Sequence, residues 1–214
     1  MSGKDTSDWL PRVLFESALI VMSILVALGL DEWRENREAA ETVSQALLNF
    51  DREIRLNQAQ IDYATPFSMG LLNILKGRYE SDEQLSIDEF VDMMESYESA
   101  ALQSTAWETA IATGSLAKMD YNIVSALSMT YSLQNRYQIV ARSGLAELTS
   151  PQNVSDDRLR LAIYNAIRYL DDITVLEADL GATYNVATSV IEAVIFDTDQ
   201  SGPEQLQADF SDTN

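Results

Sequence analysis

The chain contains neither cysteine nor histidine among its 214 residues. The first absence excludes disulfides, thiolate nucleophiles, acylated lipoprotein anchors and thiolate metal sites. The second removes imidazole as a general base, haem and zinc ligation of the usual kind, and the Glu-x-x-His element of a di-iron bundle. Positive charge is scarce too, with 14 Lys and Arg against 34 Asp and Glu and a formal net charge of −20. That imbalance reads as a solvated acidic surface, and it excludes nucleic acid as a partner because a phosphate backbone would be repelled. Proline occurs four times, at Pro11, Pro66, Pro151 and Pro203. These fall where the chain would break into a stem, a middle and a final helix. No internal repeat or low-complexity tract is present, and strict apolar-polar alternation nowhere persists long enough for a strand.

Against these absences stands one long apolar run. From Val13 to Leu30 only Glu16 is charged, and a helix of that length reaches about 27 Å, close to the hydrocarbon thickness of a bilayer. Trp9 precedes the run and Trp33 follows it, spaced so that each indole can sit at one membrane interface. Pro11 suits the first turn of such a helix, where no N–H is needed. The run reads as a membrane anchor; a cleaved signal peptide with Ala27-Leu28-Gly29 as its cleavage site, and a buried core helix, are the competing readings. Lys4 and Arg12 on one side nearly balance Arg34 and Arg37 on the other. The positive-inside rule therefore favours only narrowly an N-in orientation, with the C-terminal domain in the periplasm of a bacterial inner membrane.

Beyond the span, Trp33, Asn36, Ala40, Val43, Leu47, Phe50, Ile54, Asn57 and Ile61 follow alternating steps of three and four, the seam of one continuous stem helix to about Ala64. Leu159, Ile163, Ala166, Leu170, Ile173, Leu176, Leu180, Tyr184, Ala187, Ile191 and Val194 repeat the pattern in a helix expected from about Ser155 to Phe196. Two long helices with matching seams pack together. Between them, Ser86 with Glu89 and Thr105 with Glu108 have the spacing of capping boxes, Gly114 can close the second helix, and Asp120 can cap another running toward Glu147. The expected fold is all-α: a tail over 1–11, a transmembrane helix over 12–30 continuing into a long stem, an antiparallel helical bundle completing 31–202, and an acidic disordered tail over 203–214.

Two stretches carry a resemblance. The run from Glu16 to Leu28, followed by Asp31 to Glu38 around Trp33 and by Glu53 to Asn57, resembles a widespread uncharacterised bacterial family of single-span membrane proteins, in which a Glu opens the apolar segment and a Trp with charged neighbours follows. The segment from Thr105 to Tyr121, with Trp107-Glu108 and Thr113-Gly114-Ser115-Leu116, is similar to the family's later Trp-Glu and Ser/Thr-Gly-x-Leu element. The resemblance implies a single-span helical protein and supplies no activity.

Candidate chemistry is sparse. Glu16 lies one turn inside the apolar span, where a carboxylate is costly unless it snorkels or meets a partner. Glu16, Ser23 and Ala27 share one helix face, and Ser23 with Ala27 has the small-xxx-small spacing that lets helices approach. These three are the candidate partner-helix interface, Trp9 and Trp33 the candidate interface anchors, and Asn36, Val43, Leu47, Phe50, Ile54 and Asn57 the candidate stem seam, with Asn36 and Asn57 setting register. Asp197 to Gly202 begins like a calcium loop, but Ala208 stands where the closing Glu belongs and Pro203 follows the Gly, so a polar tail is the better reading. Trp107 reads as core with Ala110 and Ile111. No cofactor, metal or catalytic residue is expected. The chain reads as a membrane-anchored, non-enzymatic interaction or scaffold protein, an accessory subunit that meets lipid and either another membrane protein or itself through span and stem. The alternative is a periplasmic ligand-sensing bundle that signals through a partner.

Overall fold

The computed structural model describes residues 9–81, 85–148, 150, 154–155 and 157–200, and the side chains within that set from Leu14 to Phe196. All regular structure among the described residues is helical: α1 (Trp9–Glu80), α2 (Ile87–Glu95), α3 (Thr105–Thr113), a 3-10 turn (Ser115–Lys118), α4 (Tyr121–Leu148) and α5 (Leu159–Gln200). The all-α expectation holds. The chain divides into two compact units, residues 1–44 and 45–214. Trp9's side chain, those of the calcium-like segment from Asp197, and the expected tail at 203–214 lie outside the described residues; the backbone at 197–200 belongs to α5.

α1 is longer than its seam alone suggests. Pro66 was expected to mark a break, yet it lies inside the helix. A mid-helix proline costs about 3 kcal/mol through a lost hydrogen bond and ring crowding. Here Pro66 sits on the exposed side, while Ala64, Ser68, Leu71, Leu72 and Leu75 on the opposite side are buried. Continued burial of that face offsets the local penalty, and the helix runs on for four turns.

α5 lies antiparallel to the bundle part of α1. Arg55 Nη2 meets Glu192 Oε1 at 2.6 Å, Gln58 donates to Asn185 at 3.0 Å, Ser68 to Glu177 at 3.0 Å and Lys76 to Asp171 at 3.0 Å. Partner numbers rise on one helix as they fall on the other. The expected seams are buried in the bundle: Leu47, Phe50, Ile54, Asn57 and Ile61 on α1, and on α5 every expected seam residue from Ile163 to Ile191. α5 starts at Leu159 rather than near Ser155, because Ser155 closes a turn instead, accepting Arg158 N–H on its carbonyl at 2.8 Å.

The smaller helices follow their caps. Ser86 and Glu89 make the full reciprocal box that opens α2, and the two Ser86 hydrogen bonds hold the Glu89 carboxyl below the usual carboxylate range. The second expected box does not form. Ser104, not Thr105, precedes α3, and its hydroxyl donates to Glu108 at 2.8 Å. The Ala106 N–H is taken by Glu53 Oε2 from α1 at 2.9 Å, so a buried acid caps α3 from another helix. Gly114 closes α3 in the left-handed region at φ 69°, as expected of a glycine there. Asp120 accepts Asn122 N–H at 2.8 Å at the start of α4.

α4 packs on α5, and their closest approach needs a glycine. A Cβ built on Gly144 would run into the Tyr169 ring, which is buried and donates its hydroxyl to the Ala141 carbonyl at 3.0 Å. Gly144→Ala is expected to destabilise the bundle by about 1–3 kcal/mol, the usual cost of overpacking. Thermal unfolding of the detergent-solubilised chain would show a lowered midpoint, and the penalty should shrink when Tyr169→Leu makes room.

Candidate functional site

In the N-terminal unit, every side chain from Leu14 to Glu38 is exposed. One helix segment there is long and apolar enough to cross a membrane, and none of its apolar window is buried. A core helix of a soluble protein would be covered, and this one is not; a signal sequence passes the same test of length and composition. Glu16, Ser23 and Ala27 are all exposed on it. Ser23 donates its hydroxyl to the Ile20 carbonyl at 2.7 Å, so its polarity is satisfied within its own helix. Trp33 is 60% exposed and carries the Arg37 guanidinium over its ring at 5.6 Å.

The expected stem seam splits. Asn36 is exposed and Val43 half-buried, whereas Leu47, Phe50, Ile54 and Asn57 are buried within the bundle unit. Asn57 was expected to set register between helices as an isolated polar seam residue. Instead it serves its own chain: Nδ2 donates to the Gln103 carbonyl at 2.8 Å and to Gln134 Oε1 at 3.0 Å, and Oδ1 accepts Gln103 N–H at 2.8 Å.

Those contacts belong to a buried polar core that sequence reasoning missed. Glu53 accepts Tyr131 Oη–H at 2.7 Å as well as capping α3. Gln134, 1% exposed, accepts Tyr184 Oη–H at 2.9 Å and donates to the Gln103 carbonyl at 2.7 Å. Further along, Glu177 is also 1% exposed. Its Oε1 accepts from Ser68 at 3.0 Å and from Tyr137 at 3.3 Å, while Tyr137 Oη takes Ala100 N–H at 2.9 Å. Its Oε2 has no hydrogen-bond partner. Thr65 is near enough to lower the Glu177 pKa slightly, but its hydroxyl hydrogen is directed to the Ile61 carbonyl at 2.8 Å. Burial dominates and raises the Glu177 carboxyl above the usual range. Burial likewise pushes the neighbouring Tyr97 phenol up to about 12 and raises Tyr131, Tyr137, Tyr169 and Tyr184, so all five remain protonated donors at neutral pH. A signal existed: Glu177 falls seven residues after Leu170 and four after Ile173, on the apolar face, and Glu53 lies between Phe50 and Asn57.

Two surface features complete the inventory. The outer face of α1 exposes Leu56, Tyr63, Phe67 and Ile74, at 51%, 85%, 47% and 49%. The residues sharing that face, Ala59, Gln60, Pro66, Gly70 and Gly77, carry no charge. Between α3 and α4 lies a cleft of about 270 Å³ lined by Ser104, Trp107, Glu108, Tyr131, Ser132, Gln134, Asn135 and Gln138. Trp107, read from sequence as core, is half-buried and stacks on Tyr131 at 5.3 Å with an 18° interplanar angle. Among the described residues no group of three His, Asp or Glu side chains is placed to hold a metal ion. No family model, curated protein or solved structure matches the chain.

The raised Glu177 pKa fixes the sign of a pH effect. The folded state keeps this proton to higher pH than the unfolded chain, whose carboxyl titrates near about 4.3. Stability from this group is therefore greatest below that value and declines as pH rises through the folded pKa. Glu177→Gln removes the term. The thermal midpoint of the variant minus that of the wild type should grow between acid and neutral pH; a difference constant with pH would show that Glu177 is ionised in the fold.

Proposed function

We propose that this chain is a membrane-anchored interaction protein without a reaction of its own, held by the helix from about Arg12 to Leu30 in a bacterial inner membrane with its acidic bundle in the periplasm. The resemblance around Glu16 and Trp33 implies a single-span helical protein and adds no activity. The observation that carries the proposal is the uncharged face of α1. In a chain of net charge −20, the exposed stripe from Leu56 to Gly77 holds two aromatics and two aliphatics and no charged side chain. Depletion of charge with enrichment of aromatics is the compositional mark of an interface core, and contiguous exposed apolar surface of this kind marks a site of association. Gly70 and Gly77 support this: a Cβ at either would meet nothing within 4 Å, so nothing within the fold requires the glycines, which each cost about 0.5–1 kcal/mol in a helix. The span supplies a second contact through Glu16, Ser23 and Ala27. Partner and function follow together: an accessory subunit docking along α1 and within the bilayer.

A ligand-sensing bundle is the second reading, favoured by the cleft beside Trp107. It would need a partner to carry the signal onward.

The test is purification in mild detergent of the wild type beside two variants, Glu16→Leu/Ser23→Leu/Ala27→Leu and Leu56→Lys/Tyr63→Lys. A stoichiometric partner, or a second copy, should be retained by the wild type and lost from at least one variant with helicity unchanged. A lone monomer in every case would refute the reading. A C-terminal alkaline phosphatase fusion should be active and a C-terminal fluorescent fusion dark; the reverse result would put the bundle in the cytoplasm.

A further inference from the structure

The cleft between α3 and α4 is lined by several polar side chains. Its floor is fully engaged: Tyr131 donates to Glu53, and Gln134 is bonded through both ends of its amide. Its rim is not. Neither the Asn135 carboxamide, the Ser132 hydroxyl nor the Trp107 indole N–H has a partner among the described residues. Gln138 is held by one amide N–H, which donates to the Leu102 carbonyl at 2.7 Å, leaving its oxygen and its second N–H. Glu108 takes the Ser104 hydroxyl on Oε1 and keeps Oε2.

The chemistry of this rim selects a ligand class. No Lys or Arg lines the cleft, and the positive end of α3 is already taken up by Glu53 through Ala106 N–H, so an anion finds neither charge nor a free helix terminus. Donors and acceptors are both present on the neutral groups, but the charge is one-sided: among the lining residues Glu108 is the only charged side chain, beside the oxygens of Gln138, Asn135 and Ser132. Two carboxylates, Glu108 at the rim and Glu53 behind Tyr131, set a negative field with no cation among the lining residues. We propose that this cleft binds a small organic ammonium ion, its N–H donors shared between Glu108 and the carboxamide oxygens of Asn135 and Gln138, with its carbon skeleton against the indole of Trp107. The volume of about 270 Å³ leaves ample room for a cation of a few carbons. This site does not depend on the membrane or partner assignments above.

The test uses the full-length chain in mild detergent and three probes of one size: ethanolamine, its neutral counterpart ethylene glycol, and its anionic counterpart glycolate. Calorimetric titration should give saturable 1:1 binding of ethanolamine and none of the other two. Glu108→Gln keeps the Ser104 hydrogen bond but removes the charge, and should weaken binding at least about tenfold, the loss of one charge-assisted hydrogen bond. Asn135→Ala should weaken it too. Glu98→Gln removes the same charge from an exposed position elsewhere and should leave binding unchanged. Equal binding of ethylene glycol or glycolate, an effect of Glu98→Gln as large as that of Glu108→Gln, or no binding of ethanolamine to the folded wild type would each overturn the proposal.

Discussion

The bundle depends on how it buries a stretch of chain that has no secondary structure. Residues 97–104 form neither helix nor strand, yet Tyr97, Ala100 and Leu102 are buried. Backbone groups taken out of water without partners cost a few kcal/mol each. Here side chains answer them one by one. Tyr137 accepts Ala100 N–H, Gln138 donates to the Leu102 carbonyl, Asn57 closes a two-point clasp on Gln103, Gln134 adds a second donor to the same carbonyl, and Glu53 takes the N–H of Ala106 just beyond. The residues doing this come from α1 and α4, which are thereby held at the separation the segment requires. Tyr184 on α5 joins through Gln134. A network of this kind fixes one packing among the several that apolar seams alone would allow, at the expense of stability that plain hydrophobes would have given.

That division explains what the sequence made legible. The seams on α1 and α5 repeat on a short period, so their burial follows from spacing alone, as Phe50, Ile54, Leu170 and Leu180 show. The Ser86–Glu89 box and Gly114 are equally local, each settled within four or five residues. Long-range polar partners are not local. Nothing near Glu53 in the sequence announces a helix terminus fifty residues later, and the capping of α3 was accordingly assigned to Thr105 and Glu108 instead. Asn57 was recognisable as an odd polar residue on an apolar seam, but its clasp on Gln103 depends on a connector whose path no periodicity specifies. Pro66 misled for a related reason: its penalty is local, whereas the burial that outweighs it is spread along α1 from Ala64 to Leu75.

The three stretches of α1 are stabilised by different physics although the backbone hydrogen bonding is the same. Between Gln45 and Glu80 one face is buried, so helicity there follows from packing. From Leu14 to Leu30 no side chain is covered by protein; the segment is long and apolar enough to cross a membrane, and in hydrocarbon intrahelical hydrogen bonding would be obligatory. Residues 31–41 have little cover from the rest of the protein, only Ala39 among them being half-buried. Their helix must rest on intrinsic propensity and on pairs along its own surface: Arg34 reaches Asp31 and Glu38 at 3.7 and 3.6 Å, and Arg37 reaches Glu41 at 3.3 Å. Such exposed pairs contribute about 0.3–0.5 kcal/mol each, far below what any buried seam residue supplies. A helix this dependent on local terms would fray in isolation. In this chain it is part of one continuous helix, and its abundance of Glu, Arg and Ala adds intrinsic propensity to those pairs.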